Sequence, residues 1–86
     1  MPEERIYVIP LRDVRRTTRR SRAERAVKIV REFLRRHMRS DEVVIDGKLN
    51  EHLWSRGAQK PGSRVRVRAV KEDDGTVKAY LAEQEG

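Results

Sequence analysis

Between Ser63 and Lys71 the chain reads SRVRVRAVK, and this alternation leaves the backbone little choice. Arg64, Arg66 and Arg68 interleave with Val65, Val67 and Ala69. An extended chain therefore sets all three arginines on one face and the apolar side chains on the other, whereas a helix would scatter both around its circumference. The segment reads as a strand with one face in a core and the other turned to solvent or to a partner.

The next segment fixes the register. Glu72 to Thr76 reads as a turn, and Val77, Ala79 and Leu81 form the apolar set of a second strand, Val77 to Leu81. A two-residue turn at Asp74-Gly75 would pair Arg68 with Leu81 and mix charged with apolar residues on both faces. A three-residue loop, Asp73 to Gly75 with Gly75 in the left-handed conformation, instead pairs Val67 with Leu81 and Ala69 with Ala79. It also sets Tyr80 beside Arg68. One face of the hairpin then presents Arg64, Arg66, Arg68, Lys78 and Tyr80 together.

The apolar face needs a cover. Ala26, Val27, Val30, Phe33, Leu34 and Met38 form a single stripe at 100° per residue, opposite Arg25, Lys28, Glu32, Arg35, Arg36 and Arg39. Ser21 and Glu24 make an S-x-x-E capping box, which predicts a helix beginning at Ser21. His37 falls within the stripe and is expected to be packed and hydrogen-bonded at the edge of the core. RIYVIPL, Arg5 to Leu11, reads as a strand that leaves the sheet at Pro10, and VVID, Val43 to Asp46, as a short one. DGKLNEHLWSRG predicts a helix of about two turns, capped by Asp46 or Asn50 and stopped by Gly57. So short a helix is not stable alone, so Leu49, Leu53 and Trp54 are expected to be docked, with His52 turned to solvent or a partner. AQKPGS is a loop. The order is β-α-β-α-β-β in an α+β fold, a single domain over residues 1–86 with two helices packed on the sheet, a basic loop at 14–20 and a frayed tail at 82–86.

An 86-residue chain buries only ~60–65% of the surface that it exposes when unfolded. Its apolar share, 36% with Tyr counted and Gly not, lies below the usual roughly 45–50%. There is no cysteine to add a disulfide or a thiolate metal site, so a thin core gains most from a bound partner. No apolar run approaches the ~18 residues of a membrane span, and MPEERIYVIP does not resemble a signal peptide. The cytosol is the expected compartment, and a membrane is not an expected partner.

Charge is unevenly placed. Met1 to Ser40 carries thirteen Lys and Arg against five Asp and Glu, and Ala58 to Val70 four against none. The stretches between and after are mildly acidic, two against four and two against five. The densest run, VRRTTRRSRAER, holds six arginines from Arg15 to Arg25 and no large apolar residue after Val14. Such a run buries nothing and repels itself, so it calls for a partner of dense negative charge. Arginine outnumbers lysine sixteen to five, and its planar fork suits phosphate oxygens better than an ammonium does.

Catalysis finds little support. His37 and His52 are the only histidines, neither H-x-x-x-H nor C-x-x-C spacing occurs, and the five glycines form no phosphate-binding loop. No enzymatic activity, cofactor, metal or small-molecule substrate is expected. Binding uses what is present: a mobile arginine loop that can order on a phosphate backbone, and arginines at fixed spacing on a rigid strand. The residues expected at an RNA interface are Arg12, Arg15, Arg16, Arg19, Arg20, Arg22 and Arg25 in the first basic block, with Arg56 and Lys60 further on. Arg64, Arg66, Arg68 and Tyr80 complete the set. Glu32 can pair with Lys28, Arg35 and Arg36, so for that helix face solvation and contact stand level. A helix-turn-helix would need a second helix rich in base-reading residues, and the short helix here is slightly acidic, so folded RNA fits better than duplex DNA. Two alternatives stay open: a free regulator that binds RNA or DNA, and an interaction module for an acidic protein.

RIYVIPLRD, RAVKIVREFLRRHM, VVIDGKLNEHLWSRG and SRVRVRAV together resemble family thirty-one of the large-subunit ribosomal proteins, archaeal and eukaryotic (e) type. The likeness runs from Arg5 to Val70 and is most specific from Ile45 through Leu49, Asn50, Trp54, Arg56 and Gly57 to the alternating arginines. It implies a β-α-β-α-β-β domain bound to large-subunit rRNA near the rim of the polypeptide exit tunnel. Neighbouring ribosomal proteins, and nascent-chain factors docking at that rim, are the implied protein partners. AERAV stands where some relatives read APRAV, and the hairpin turn is short.

Overall fold

The computed structural model describes residues 3–11, 19–57 and 64–82. In chain order the elements are β1 (Glu3–Pro10), α1 (Arg19–Met38), β2 (Val43–Ile45), α2 (Gly47–His52) running into a π-helical turn (Leu53–Gly57), β3 (Arg64–Lys71) and β4 (Val77–Leu81). The strands form one sheet in the order β1-β3-β4-β2, antiparallel except for the parallel β2–β4 pair. This is the expected α+β order, with two helices and a four-stranded mixed sheet.

The hairpin has the register that its alternation demands. Val67 pairs with Leu81, Arg68 with Tyr80 and Ala69 with Ala79. Glu72 and Thr76 close a three-residue loop, the Glu72 N–H donating to the Thr76 carbonyl at 2.8 Å, and Gly75 adopts φ 94°. That conformation costs glycine nothing and strains any residue with a Cβ. Val65, Val67, Ala69, Val77 and Ala79 are buried on the inner face against Ala26, Val30, Leu34 and Met38 of α1. Val27, Ile29 and Phe33 flank this stripe half-buried. The Ala82 N–H still donates to the Arg66 carbonyl at 3.0 Å, and residues 83–86 of the expected frayed tail lie outside the described residues.

Five expectations need correction. β1 runs Glu3–Pro10 instead of Arg5 to Leu11, because pairing with Lys71 and Val70 of β3 extends it back over Glu3 and Glu4. α1 begins at Arg19 rather than Ser21, because Arg19 and Arg20 are good helix formers and extend it backward, leaving Ser21 inside the first turn instead of capping it. β2 ends at Ile45, since Asp46 turns away: its N–H still donates to the Ala79 carbonyl at 2.9 Å while its carboxylate accepts from the Lys48 N–H at 3.1 Å as the α2 cap. Trp54 is not docked. Leu49 and Leu53, four apart, share the buried face, but Trp54 lies about 100° beyond Leu53 and stands 42% exposed. His37 is exposed and stacks on Phe33, with ring centroids 4.0 Å apart, and it makes no hydrogen bond among the described residues.

The C-terminal end of α1 is closed by three polar contacts. The Ser40 N–H donates to the Arg35 carbonyl at 3.1 Å, and Lys71 Nζ reaches the Met38 carbonyl at 3.0 Å. The Ser40 hydroxyl, almost buried, donates to the Gly75 carbonyl at 2.6 Å and ties the helix to the hairpin turn. Between them Arg39 adopts φ 53°, the left-handed position at a helix end that usually belongs to glycine. An L-residue there costs roughly 1–2 kcal/mol relative to its ordinary conformations.

Candidate nucleic-acid interface

β3 lies between β1 and β4, so its outward side chains meet neighbours on both sides. Arg64, Arg66 and Arg68 are directly opposite Pro10, Val8 and Ile6 of β1, and Arg68 is opposite Tyr80 of β4. Since cross-strand partners share a face, the outer surface of the sheet holds three arginines, Lys78, Tyr80, Ile6 and Val8. α1 covers the inner face, and among the described residues no element covers this one.

The arginines are not equivalent. Arg68 is held twice: its guanidinium carbon lies 4.7 Å over the Tyr80 ring, a cation–π contact, and its Nη1 is 3.2 Å from Glu4 Oε2. The pair with Glu4 is exposed on both sides and so is worth little. It nevertheless orients the guanidinium across the strands. Arg64 and Arg66 are exposed and form no ion pair among the described residues, while Lys78 approaches Glu72 only loosely, at 3.9 Å. Two unengaged forks thus stand beside a third held over an aromatic ring.

Glu4, Ile6 and Val8 were missed in the sequence because IYVI is apolar throughout and does not declare which face is inward. Its flanks give no clue either, since Glu4 and Arg5 are both charged and fall on opposite faces; only the pairing with β3 turns Tyr7 and Ile9 inward and Ile6 (55% exposed) and Val8 (49%) outward.

The other expected residues separate from this face. Arg22 and Arg25 are on α1, on the far side of the sheet. Arg25 is exposed, and Arg22 is half-buried with its Nε lacking a hydrogen-bond partner among the described residues. Arg19, Arg20 and Arg56 belong to described backbone, but their side chains lie outside the described part. Arg12, Arg15, Arg16 and Lys60, with the rest of the basic loop and AQKPGS, lie outside the described residues altogether.

Among the described residues no group of three or more His, Cys, Asp or Glu could hold a metal ion, and no helix is long and apolar enough to cross a membrane. Fold and surface define a class: a small basic α+β protein whose sheet is apolar within and arginine-bearing without. Comparison with known proteins identifies which. The family described as ribosomal protein L31e matches residues 3–76, and the chain belongs to that family. It is similar to the large ribosomal subunit protein eL31 of Methanocaldococcus jannaschii, with 57% identity over 96% of this chain and 95% of the relative. The proteins of the same name from Methanothermobacter thermautotrophicus and Methanopyrus kandleri are 56% and 52% identical, covering 93% and 94% of this chain and 99% and 94% of their own. The chain is accordingly a structural ribosomal protein and not an enzyme.

Proposed function

We propose that this protein is a structural constituent of the large ribosomal subunit that holds folded rRNA through the outer face of β3 and through the arginine loop before α1. The observation that carries the reading is the pair of unengaged, exposed arginines, Arg64 and Arg66, in line with Arg68 on its aromatic rest. Side chains two residues apart on one face of a strand are ~6.6–7 Å apart, close to the spacing of successive phosphates along an RNA strand. Arg12, Arg15, Arg16, Arg19, Arg20, Arg22, Arg25, Arg56 and Lys60 would extend the contact. The loop would follow an irregular backbone, and the strand would read shape from fixed positions. Work in the cytoplasm, as part of the ribosome, follows.

Ile6 and Val8 favour a second neighbour at the same face. An exposed apolar strip beside the arginines, on an edge strand with free backbone groups, suits coverage by an adjacent ribosomal protein. The family resemblance supports the further reading that this neighbour is met near the rim of the exit tunnel, where nascent-chain factors would dock.

Cosedimentation in sucrose gradients at high salt tests the reading. A subunit constituent stays with the large subunit after a wash that strips loosely held basic proteins, and a free regulator or an acidic-partner module appears at the top of the gradient.

A further inference from the structure

The C-terminal end of α1 carries a second basic surface. Arg35, Arg36 and Arg39 are exposed and, with Glu32, Ser40 and Asp41, line an open cleft of about 610 Å³. Glu32 has the spacing to pair along the helix, yet among the described residues neither it nor Asp41 forms an ion pair with any of the three. Basic residues in a last turn gain from the helix dipole, and that accounts for some positive charge here. It does not account for Arg39. The helix end is already closed by the Ser40 N–H and by Lys71, and Arg39 occupies a left-handed position where glycine would sit without strain. Keeping a long cationic side chain at that cost points to a use for it outside the protein.

The place of this cluster decides what the use is. α1 packs on the inner face of the sheet, and the β3 arginines point the opposite way, so the two basic surfaces lie on opposite sides of the core. We propose that Arg35, Arg36 and Arg39 form a second RNA phosphate site, and that the protein bridges two RNA segments, one on the sheet face and one at the end of α1. This rests on the RNA-binding reading of the sheet face. Guanidinium forks match phosphate oxygens, and the nearby Glu32 and Asp41 keep the site weak enough to need a partner already brought close by the first contact.

The test is a two-RNA capture. A biotinylated 30-nucleotide RNA hairpin on beads is loaded with protein at 150 mM salt, washed, and offered a fluorescent hairpin of the same sequence. The wild type should hold the second hairpin. Arg36→Gln/Arg39→Gly should reduce its capture roughly tenfold, the drop expected for two phosphate contacts at this salt, while loading on the first changes less than about twofold. Arg39→Gly should also raise the melting temperature by about 4–8 °C, so misfolding does not explain the reduced capture. Arg5→Gln/Lys48→Gln, an equal removal of charge elsewhere, should leave capture intact, and Glu32→Gln should increase it. Wild-type capture by the Arg36/Arg39 variant, an equal drop in the Arg5/Lys48 control, or no second hairpin on the loaded wild type would each overturn the bridge. Failure of the wild type to load on the first hairpin overturns the RNA reading itself. If the Arg36/Arg39 variant keeps RNA capture but loses retention on poly-glutamate, the surface belongs to an acidic protein and the RNA proposal falls.

Discussion

The two faces of β3 divide the work of the molecule residue by residue. Val65, Val67 and Ala69 are at most 1% exposed beneath α1, and Arg64 and Arg66, one position away along the same backbone, face outward. Core and interface therefore share a strand without sharing side chains. The lesson is separability: a change on one face should alter stability and leave RNA affinity alone, and a change on the other should do the reverse.

The largest expected effect breaks the inner face. Leu34 is fully buried in the layer that covers it, and Leu34→Ala should cost about 2–5 kcal/mol, a large share of a small domain's stability, measured by thermal or urea denaturation. Arg39→Gly should act the other way, stabilising by about 1 kcal/mol through relief of the left-handed backbone. Trp54 sharpens the contrast between apparent and real core. Because the ring is half-exposed, Trp54→Ala should cost under about 1 kcal/mol, and a destabilisation of about 3 kcal/mol or more would mean that it is an anchor after all. The smallest effect is at the hairpin turn. The Thr76 N–H, donating at 2.9 Å, holds the Asp74 carboxyl below its ordinary value, helped by the Thr76 side chain. A lowered pKa means that any stability Asp74 gives is fully present above the ordinary carboxylate value and is lost as pH falls from there through the lowered one. The pH dependence of melting for Asp74→Asn should be flatter than the wild type below the ordinary value and parallel above it.

What the sequence made legible follows the same physics. Strict alternation in SRVRVRAVK, with a glycine at the one turn position that needs positive φ, left a single workable register for β3 and β4. The α1 stripe was equally plain, since five turns average over any one residue. Short or uniform segments were not. A helix of about two turns offers too few residues for Leu49 and Leu53 to exclude Trp54 from their face by pattern alone. IYVI concealed the side of the sheet on which Ile6 and Val8 emerge. The Glu4–Arg68 pair spans 64 positions and depends on the register of β1 against β3, to which no local motif refers. His37 looked inward by angle but sits at the rim of the stripe, where Phe33 and Tyr7 offer ring faces instead of a hydrogen bond.

The salt dependence of RNA affinity tests the outer face most directly. Binding of the rRNA segment that copurifies with the wild type is measured by filter retention over a salt series, for the wild type and for Arg64→Gln/Arg66→Gln/Arg68→Gln. Removal of each phosphate contact should flatten the slope of log affinity against log salt by ~0.7–0.9, so the slope of the triple variant should be shallower by about two units while it melts close to the wild type. Equal slopes for the two proteins would contradict the account and leave the arginine strand a solvated surface.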